Sequence, residues 1–298
     1  MPRGAGILAA GRPLSSYLPP GVAGALRRLE GVGDERALTV RRLLNHTSGL
    51  PDYFFDPDFQ RRVRAQPARS WRPEELVQAA VERGRLRFSP GTEFSYGDTG
   101  YVLVGMAIEQ MLNCRLGDAY RSLVFAPLSM EATYLEWHES ARGGEVSHHY
   151  DGDEDLQRTN TSYDWAGGGL VTTGQDLVRF LQGLFRGVLL DRRWLEELLR
   201  WRAGLKFRSG SSARYRRYGL GVGTNVACGH EIIGATGVWG AFGYYWPAGE
   251  AAIAGTVNLR GMDRQPLLAE VLCALSRRKR GQTTTLEQAR RASPPARA

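Results

Sequence analysis

The sequence predicts an α+β fold, and three observations support this prediction. Apolar residues recur at helical spacing in several stretches between residues 39 and 201. Between residues 218 and 257 the pattern changes to short β-prone runs separated by turn signals, which is typical of an antiparallel meander. A last amphipathic helix then carries Leu268, Leu272 and Leu275 on one side. Helices followed by strands and a final helix favour an α+β architecture.

Start and stop signals place the elements in order. Residues 7–10 have the apolar character of a last helical turn, which Gly11 would end. Caps and apolar spacing predict helices near residues 39–47, 73–84, 101–112, 173–185 and 194–201. Strands are predicted at residues 218–224, 231–233, 242–246 and 251–257. From Gly281 onward the polar, proline-containing composition predicts disorder.

The net charge of +8 lies mostly in the tail of the chain. Residues 276–298 contain seven Arg or Lys residues and one Glu, so six of the eight net positive charges lie there. A groove that follows a phosphate backbone needs its positive charge on the folded surface. The sequence therefore predicts a solvated basic tail and no nucleic-acid partner.

Cysteine spacing and hydropathy exclude further classes of protein. Cys114, Cys228 and Cys273 include no C-x-x-C pair, so we expect buried free thiols rather than disulfides or a zinc site. No apolar stretch approaches the roughly 20 residues that span a bilayer, so no transmembrane segment is predicted. The sequence as given predicts a cytoplasmic protein, whereas a leader upstream of Met1 would predict export. The oligomeric state is not predicted.

Three stretches carry an ordered set of motifs: residues 38–50 (LTVRRLLNHTSGL), 90–101 (PGTEFSYGDTGY) and 234–240 (GATGVWG). Shorter matches occur at residues 126–130, 168–173 and 254–258. Together these motifs resemble the serine β-lactamase and penicillin-binding-protein-like hydrolases, in the branch of class C β-lactamases, D-alanyl-D-alanine carboxypeptidases and related esterases. The resemblance covers roughly residues 7–275.

The resemblance implies an antiparallel sheet flanked by helices, with an inserted, mostly helical domain and the active site in the cleft between them. It assigns residues 1–35 and 166–278 to the sheet-containing part and residues 36–165 to the helical part, with residues 279–298 as the disordered tail. It also implies acyl-enzyme hydrolysis of a β-lactam, a D-Ala-D-Ala peptide or an ester, without a metal or other cofactor.

Tyr96 matches the tyrosine that moves protons in the family. It lies just before the predicted buried helix, whose dipole would favour a phenolate. Asp98 occupies the position of the family's asparagine, and an ionised carboxylate there cannot donate a hydrogen bond and would raise the pKa of Tyr96. A second interpretation makes Asp98 the N-cap of the helix.

The third motif departs from the family as well. Its histidine or lysine position is Ala235, followed by Thr236 and Gly237 as the other substrate-binding positions. This change removes a polar or cationic group from the cleft. Val238 matches the residue whose backbone N–H completes the oxyanion hole, and a backbone donor survives any side-chain change.

The nucleophile departs furthest from the family pattern. The resemblance places its Ser-x-x-Lys roughly ten to fifteen residues before Leu8. That position is upstream of Met1, so we expect this chain to lack the first strands and the start of the catalytic helix. One S-x-x-K string does occur, from Ser276 to Lys279, but a catalytic lysine needs desolvation and this one adjoins arginines at a solvated helix end. We interpret this string as coincidence.

Two further candidates carry little chemistry. Ser48 stands near His46, but no partner acid is indicated and the resemblance implies a structural turn. His148 and His149 lie beside several acidic residues, but their spacing fits no metal-ligand pattern, so a solvated loop is predicted.

Two hypotheses on function stay open. In the first, the protein is a serine hydrolase whose nucleophile is encoded upstream of Met1. In the second, the chain is a catalytically inactive binding module or a truncated fragment of the same fold, which its three separate losses favour. As given, the chain is expected to be nearly inert, because removing a catalytic serine costs about a millionfold in turnover.

Overall fold

The computed structural model describes residues 14–201 and 215–292, so the helical turn predicted at residues 7–10 lies outside the described part. The described residues form ten α-helices: α1 (Pro20–Arg27), α2 (Val40–Leu44), α3 (Pro57–Ala65), α4 (Pro73–Val81), α5 (Thr99–Leu112), α6 (Leu116–Tyr120), α7 (Trp165–Gly168), α8 (Gly174–Phe185), α9 (Arg192–Leu198) and α10 (Gln265–Ala292). Short 3₁₀ segments occur at Leu14–Tyr17, Glu35–Ala37 and Pro247–Gly249, and a π-helical turn at Arg121–Phe125.

The strands form one larger sheet and two short pairs. In chain order they are β1 (Tyr134–Leu135), β2 (Tyr150–Asp151), β3 (Glu154–Asp155), β4 (Leu170–Val171), β5 (Arg217–Tyr218), β6 (Gly223–Ala227), β7 (His230–Thr236), β8 (Ala241–Trp246) and β9 (Ala251–Thr256). Strands β5 to β9 make an antiparallel sheet in sequence order, β1 pairs with β4, and β2 pairs with β3. The α+β prediction of an antiparallel sheet flanked by helices is confirmed.

Helices cover both faces of the five-stranded sheet because its residues alternate in direction. Phe242 and Tyr244 of β8 share a core cluster with Leu268 and Leu272 of α10. The residue between them, Gly243, faces α8, where an added Cβ would come within 3.1 Å of Leu177. The sheet therefore separates α8, on the side of the motifs, from α10.

A second, larger core holds the helical part together. Helix α5 is buried along most of its length, as its continuous apolar character predicts. It packs so closely on α7 that a Cβ at Gly105 would lie 2.6 Å from the Cβ of Ala166. The helix ends at Asn113, which takes the left-handed conformation that suits a helix end (φ 49°). This packing fixes the start of α5, where Tyr96 and Asp98 lie.

Two predicted elements differ from the structure. The strand predicted at residues 218–224 is divided into β5 and β6, because Gly221 takes a positive φ of 83° in the turn between them. Helix α10 continues to Ala292, through the segment whose composition predicts disorder. Its last turns contain Leu, Glu, Gln, Ala and Arg, which are all good helix formers. The domain boundaries stay a prediction.

The expectation of free thiols is wrong for two of the three cysteines. Cys228 and Cys273 form a disulfide with their Cα atoms 5.4 Å apart, which ties the turn after β6 to α10. Cys114 is free and partly exposed. Sequence spacing missed the pair because 45 residues separate its members and only the packing of α10 on the sheet brings them together. None of the described helices combines the length and apolar character that crossing a bilayer requires.

Candidate active site

A cavity of about 860 Å³ lies between the β7 edge of the sheet, helix α8 and the loop before α5. The structure brings every predicted site position into its lining: Tyr96, Asp98, Ala235, Thr236, Gly237 and Val238. These residues come from two segments almost 140 positions apart, and the sheet and α5 hold them on facing walls. Their individual roles stay predictions.

Tyr96 is half-buried and its ring lies against that of His46, with 4.2 Å between the ring centroids. Burial raises the pKa of the Tyr96 phenol well above its usual value, and the nearby Asp98 raises it further. The effect of Asp98 is the one expected from its charge. The predicted phenolate is not favoured, because burial opposes the helix dipole and keeps Tyr96 a neutral hydrogen-bond donor.

Asp98 occupies the N-cap position of α5, but its side chain forms no capping hydrogen bond. Asp52 caps the helix instead: its Oδ1 accepts from the backbone N–H of Asp98 at 2.7 Å and of Thr99 at 3.4 Å. Asp98 is therefore the N-cap residue by position, as the second interpretation predicts, but its side chain makes no capping hydrogen bond. Its carboxyl is left to line the cavity.

Three carboxyl groups lie close enough to interact near the start of α5: those of Asp52, Asp98 and Asp164. Burial raises the pKa of all three, and for Asp98 the charges of Asp52 and Asp164 raise it further. The pKa of Asp164 is raised to about 7, although a hydrogen bond from Trp239 Nε1 to its Oδ2, at 2.7 Å, lowers it. Arg87 lowers the pKa of Asp52 and Arg260 that of Asp164, but neither charge outweighs burial. The three like charges disfavour ionisation of all three groups together, and a bound cation would favour it.

The wall of the cavity opposite Tyr96 is formed by the end of β7, and hydrogen bonds between backbone atoms hold it in place. After β7 the chain turns at Gly237, whose N–H donates to the carbonyl oxygen of Ala241 at 2.8 Å. The next N–H, that of Val238, makes no hydrogen bond to the backbone of the described residues, and Val238 lines the cavity. Ala235 presents only a methyl group to the cavity.

The other residues that line the cavity form an apolar group and a polar group. An apolar wall is formed by Leu177, Phe180, Leu181, Leu184 and Leu220. The charged residues of the lining are four acids, Asp98, Glu136, Glu145 and Asp164, and one arginine, Arg142. Burial lowers the pKa of His149, the histidine of the lining, which keeps it neutral. The described lining is therefore acidic, and it contains no lysine.

The other sequence candidates lie elsewhere. Ser276 is buried on α10, where its hydroxyl donates to the carbonyl oxygen of Cys273 at 3.0 Å, and Lys279 donates to the carbonyl of Gly249. Neither residue lines the cavity, which supports reading the string as coincidence. Ser48 accepts from the Leu50 N–H at 3.3 Å within its turn.

The acidic loop, predicted to be a solvated loop, forms a hairpin of β2 and β3. His148 Nδ1 pairs with Asp155 Oδ2 at 2.6 Å across β2 and β3, in an exposed position. Within residues 14–201 and 215–292, no group of His, Cys, Asp or Glu side chains is arranged to hold a metal ion.

Sequence reasoning assigned no site role to two lining residues, Asp164 and Trp239, or to two residues that support the lining from behind, His46 and Asp52. Asp52 lies three residues after the end of the 46–49 turn, and Asp164 lies three residues before the glycines at 167–169. No sequence pattern links the two aspartates. Trp239 adjoins Val238, and that adjacency was the one usable signal. The Trp239–Asp164 hydrogen bond links the two walls of the cavity, a contact that only the fold reveals.

The fold and the cavity define the class of protein: a β-lactamase/transpeptidase-like fold with a cleft between sheet and helices. A family model described as Beta-lactamase matches residues 4–275, and the chain belongs to this family. Penicillin-binding protein 4* of Bacillus subtilis is 31% identical over 102 residues, which are 33% of this chain and 21% of that protein. The match therefore spans about a fifth of that relative's length.

Solved structures are also similar to the chain. The D-stereospecific amidohydrolase from Streptomyces sp. superposes with a TM-score of 0.71 at 28% identity, covering 84% of this chain and 75% of that one. The D-amino acid amidase from Ochrobactrum anthropi SV3, solved with D-phenylalanine, has a TM-score of 0.64 at 27% identity and covers 83% of each chain.

Proposed function

We propose that this chain binds amides or short peptides of D-amino acids that carry a free amino group, in the cavity between Tyr96 and the β7 edge. The observation that carries the proposal is the charge of the cavity. Asp98 and Asp164 line it together with Tyr96, and Ala235 stands where the family resemblance implies histidine or lysine. A ligand ammonium would offset the buried carboxyls, whereas a ligand carboxylate would meet no cation on β7.

Two groups would orient the ligand carbonyl. The Val238 N–H has no backbone partner among the described residues, and it would donate to the carbonyl oxygen of the amide. Tyr96, held as a neutral phenol by burial, would donate to the amide from the other wall. The ligand side chain would lie on the apolar wall formed by α8. The likeness to an amidohydrolase and an amidase, each above 25% identity, supports an amide as the ligand class.

We further propose that these 298 residues bind the amide without forming an acyl-enzyme. Residues 1–13 contain neither Ser nor Lys, and the one S-x-x-K string lies on α10, away from the cavity. Among the described lining residues, the serine is Ser147 on the exposed loop, with no lysine near it to act as a base. The family's acyl transfer would need a Ser-x-x-Lys pair placed in this cavity.

Calorimetric titration with D-phenylalaninamide tests the binding proposal. N-acetyl-D-phenylalaninamide keeps the amide but removes the positive charge, and D-phenylalanine replaces the amide by a carboxylate. Both should bind at least about tenfold more weakly than the amide, which corresponds to 1.4 kcal/mol. Equal affinities for the three ligands would exclude charge recognition by Asp98 and Asp164.

Matched variants locate the binding. Asp164→Asn removes a carboxyl of the cavity, and Asp153→Asn removes an exposed one in the hairpin between β2 and β3. Only Asp164→Asn should lower the affinity for D-phenylalaninamide. Intact mass after incubation with a fluorescent penicillin tests the catalytic part: we expect no mass increase, and an acyl adduct would contradict it.

A further inference from the structure

His46 holds both neighbours of Tyr96 in the chain. Its carbonyl oxygen accepts a hydrogen bond from the Ser95 N–H at 3.0 Å. Its ring Nδ1 accepts from the Gly97 N–H at 3.4 Å. One residue of the turn after α2 therefore fixes the backbone on either side of the candidate tyrosine.

The His46 ring also sets the direction of the phenol. It lies 4.2 Å from the Tyr96 ring, at an interplanar angle of 36°. Phe94 and Tyr101 pack on the same imidazole at 5.6 and 5.2 Å, and His46 is only 4% exposed. With neighbours on several sides, the imidazole has little freedom to move, and the Tyr96 ring rests on a fixed surface.

The hydrogen bonds define one tautomer of His46. Since Nδ1 is an acceptor, the proton of a neutral ring must lie on Nε2, which then donates to the Tyr218 hydroxyl at 3.1 Å. Burial lowers the pKa of His46 to about 3, so the ring stays neutral near pH 7. Tyr218 is the last residue of β5, so this hydrogen bond joins the Tyr96 loop to the sheet.

The backbone of His46 is held in an uncommon conformation. Its φ of 56° lies in the left-handed region, which few residues other than glycine adopt, although histidine, asparagine and aspartate do so more often than the rest. Such conformations persist where the surrounding contacts determine them, and they are common at functional sites. Here that conformation lets the His46 carbonyl and ring both reach the Tyr96 loop.

We infer that His46, as the Nε2–H tautomer, is the positioning residue for Tyr96, setting the place and angle of its phenol in the cavity. The inference deepens the proposed function, on which the role of Tyr96 as ligand donor rests. His46 itself does not line the cavity, so it acts through Tyr96 and not on a ligand.

The tautomer can be observed without any ligand. In protein labelled with ¹⁵N-histidine, the five histidines give separate ring signals, and His46 is assigned by the signal that His46→Asn removes. We expect a protonated Nε2 and an unprotonated Nδ1 that stay unchanged from pH 8 to pH 5. A protonated Nδ1, or an imidazolium in that range, would overturn the inference whether or not the chain binds amides.

Two substitutions separate positioning from packing. His46→Asn tolerates the left-handed backbone and places a carbonyl oxygen the same number of bonds from Cα as Nδ1. His46→Phe keeps a ring for Tyr96 to rest on but offers no acceptor. Amide hydrogen exchange at Gly97 should accelerate about tenfold in His46→Phe and stay near the wild-type rate in His46→Asn.

The matched control is Tyr218→Phe, which removes the partner of Nε2 and leaves Nδ1 in place. It should leave Gly97 exchange within about twofold of wild type. If His46→Phe also preserved Gly97 protection, His46 would be a packing residue only. If His46→Phe does not fold, the tautomer of the wild-type protein still decides the question.

Discussion

The two walls of the cavity are built by different means. The Tyr96 wall is held by side chains: Asp52 caps α5, and His46 fixes the loop before it. The Val238 wall is held by the strand ladder of β7 and β8 and by the Gly237–Ala241 hydrogen bond between backbone atoms. A wall made of backbone keeps its geometry when side chains change, whereas a wall made of side chains does not.

The difference explains how the chain departs from its family's motifs. Ala235, at the position where the family resemblance implies histidine or lysine, leaves the backbone N–H of Val238 in place. Replacement of an asparagine by Asp98 instead brings a third carboxyl beside Asp52 and Asp164 and raises the pKa of several groups together. The first change removes one ligand contact, and the second alters the electrostatics of a whole wall.

The largest expected effect concerns the sheet that carries the Val238 wall. Replacing both Cys228 and Cys273 with serine should lower the free energy of unfolding by about 3–4 kcal/mol, because the disulfide closes a long loop. Urea unfolding with and without reductant measures the change. Cys114→Ser should have little effect, and an unchanged midpoint on reduction would show that the disulfide does not hold the sheet.

The next effect concerns the Tyr96 wall. The pKa of Asp98 is higher in the folded protein than in the unfolded chain, so its protonated form contributes stability below about pH 4 that is lost as pH rises. Asp98→Asn removes this loss and should raise the free energy of unfolding at pH 7 by about 1–3 kcal/mol. The gain should disappear near pH 3, as urea titrations at both pH values would show.

Asp153→Asn serves as the control for Asp98→Asn, because Asp153 is exposed and lies outside the cavity. Its unfolding curve should match that of the wild type at both pH values. A destabilised Asp98→Asn protein at pH 7 would mean that the Asp98 carboxyl has a partner that makes it favourable there.

A smaller effect is expected from restoring a cation on the Val238 wall. Ala235→Lys should improve the affinity for D-phenylalanine about fivefold, the gain of roughly 1 kcal/mol typical of a partly exposed ion pair. Ala235→Met, of similar length but uncharged, should not. Equal affinities of the two variants would show that the ligand carboxylate does not approach residue 235.

The sequence predicted the two walls but not what supports them. Tyr96, Ala235 and Val238 were placed from local motifs, and the helices followed from caps such as that of Thr173 on α8. The supporting contacts join distant residues, such as His46 with Gly97 and Asp164 with Trp239. No local pattern encodes such pairs.

The protonation states of the site residues were predicted less well than their positions. The charge of Asp98 was correctly expected to raise the pKa of Tyr96. The helix dipole was expected to favour a phenolate, but burial is the larger influence, and burial depends on packing that no motif states.

The central claim is that Asp98 and Asp164 make the cavity a site for an amino group. The affinity for D-phenylalaninamide, measured by calorimetry from pH 5 to pH 9, tests it most directly. The pKa of Asp164 is raised to about 7, so its carboxylate forms as pH passes that value and affinity should rise there. Affinity should fall again above about pH 8, where an α-amino group loses its proton.

The same titration with Asp164→Asn should lose most of the rise near pH 7. An affinity of the wild type that is flat across this range, or that falls as pH rises from 5 to 7, would contradict the account.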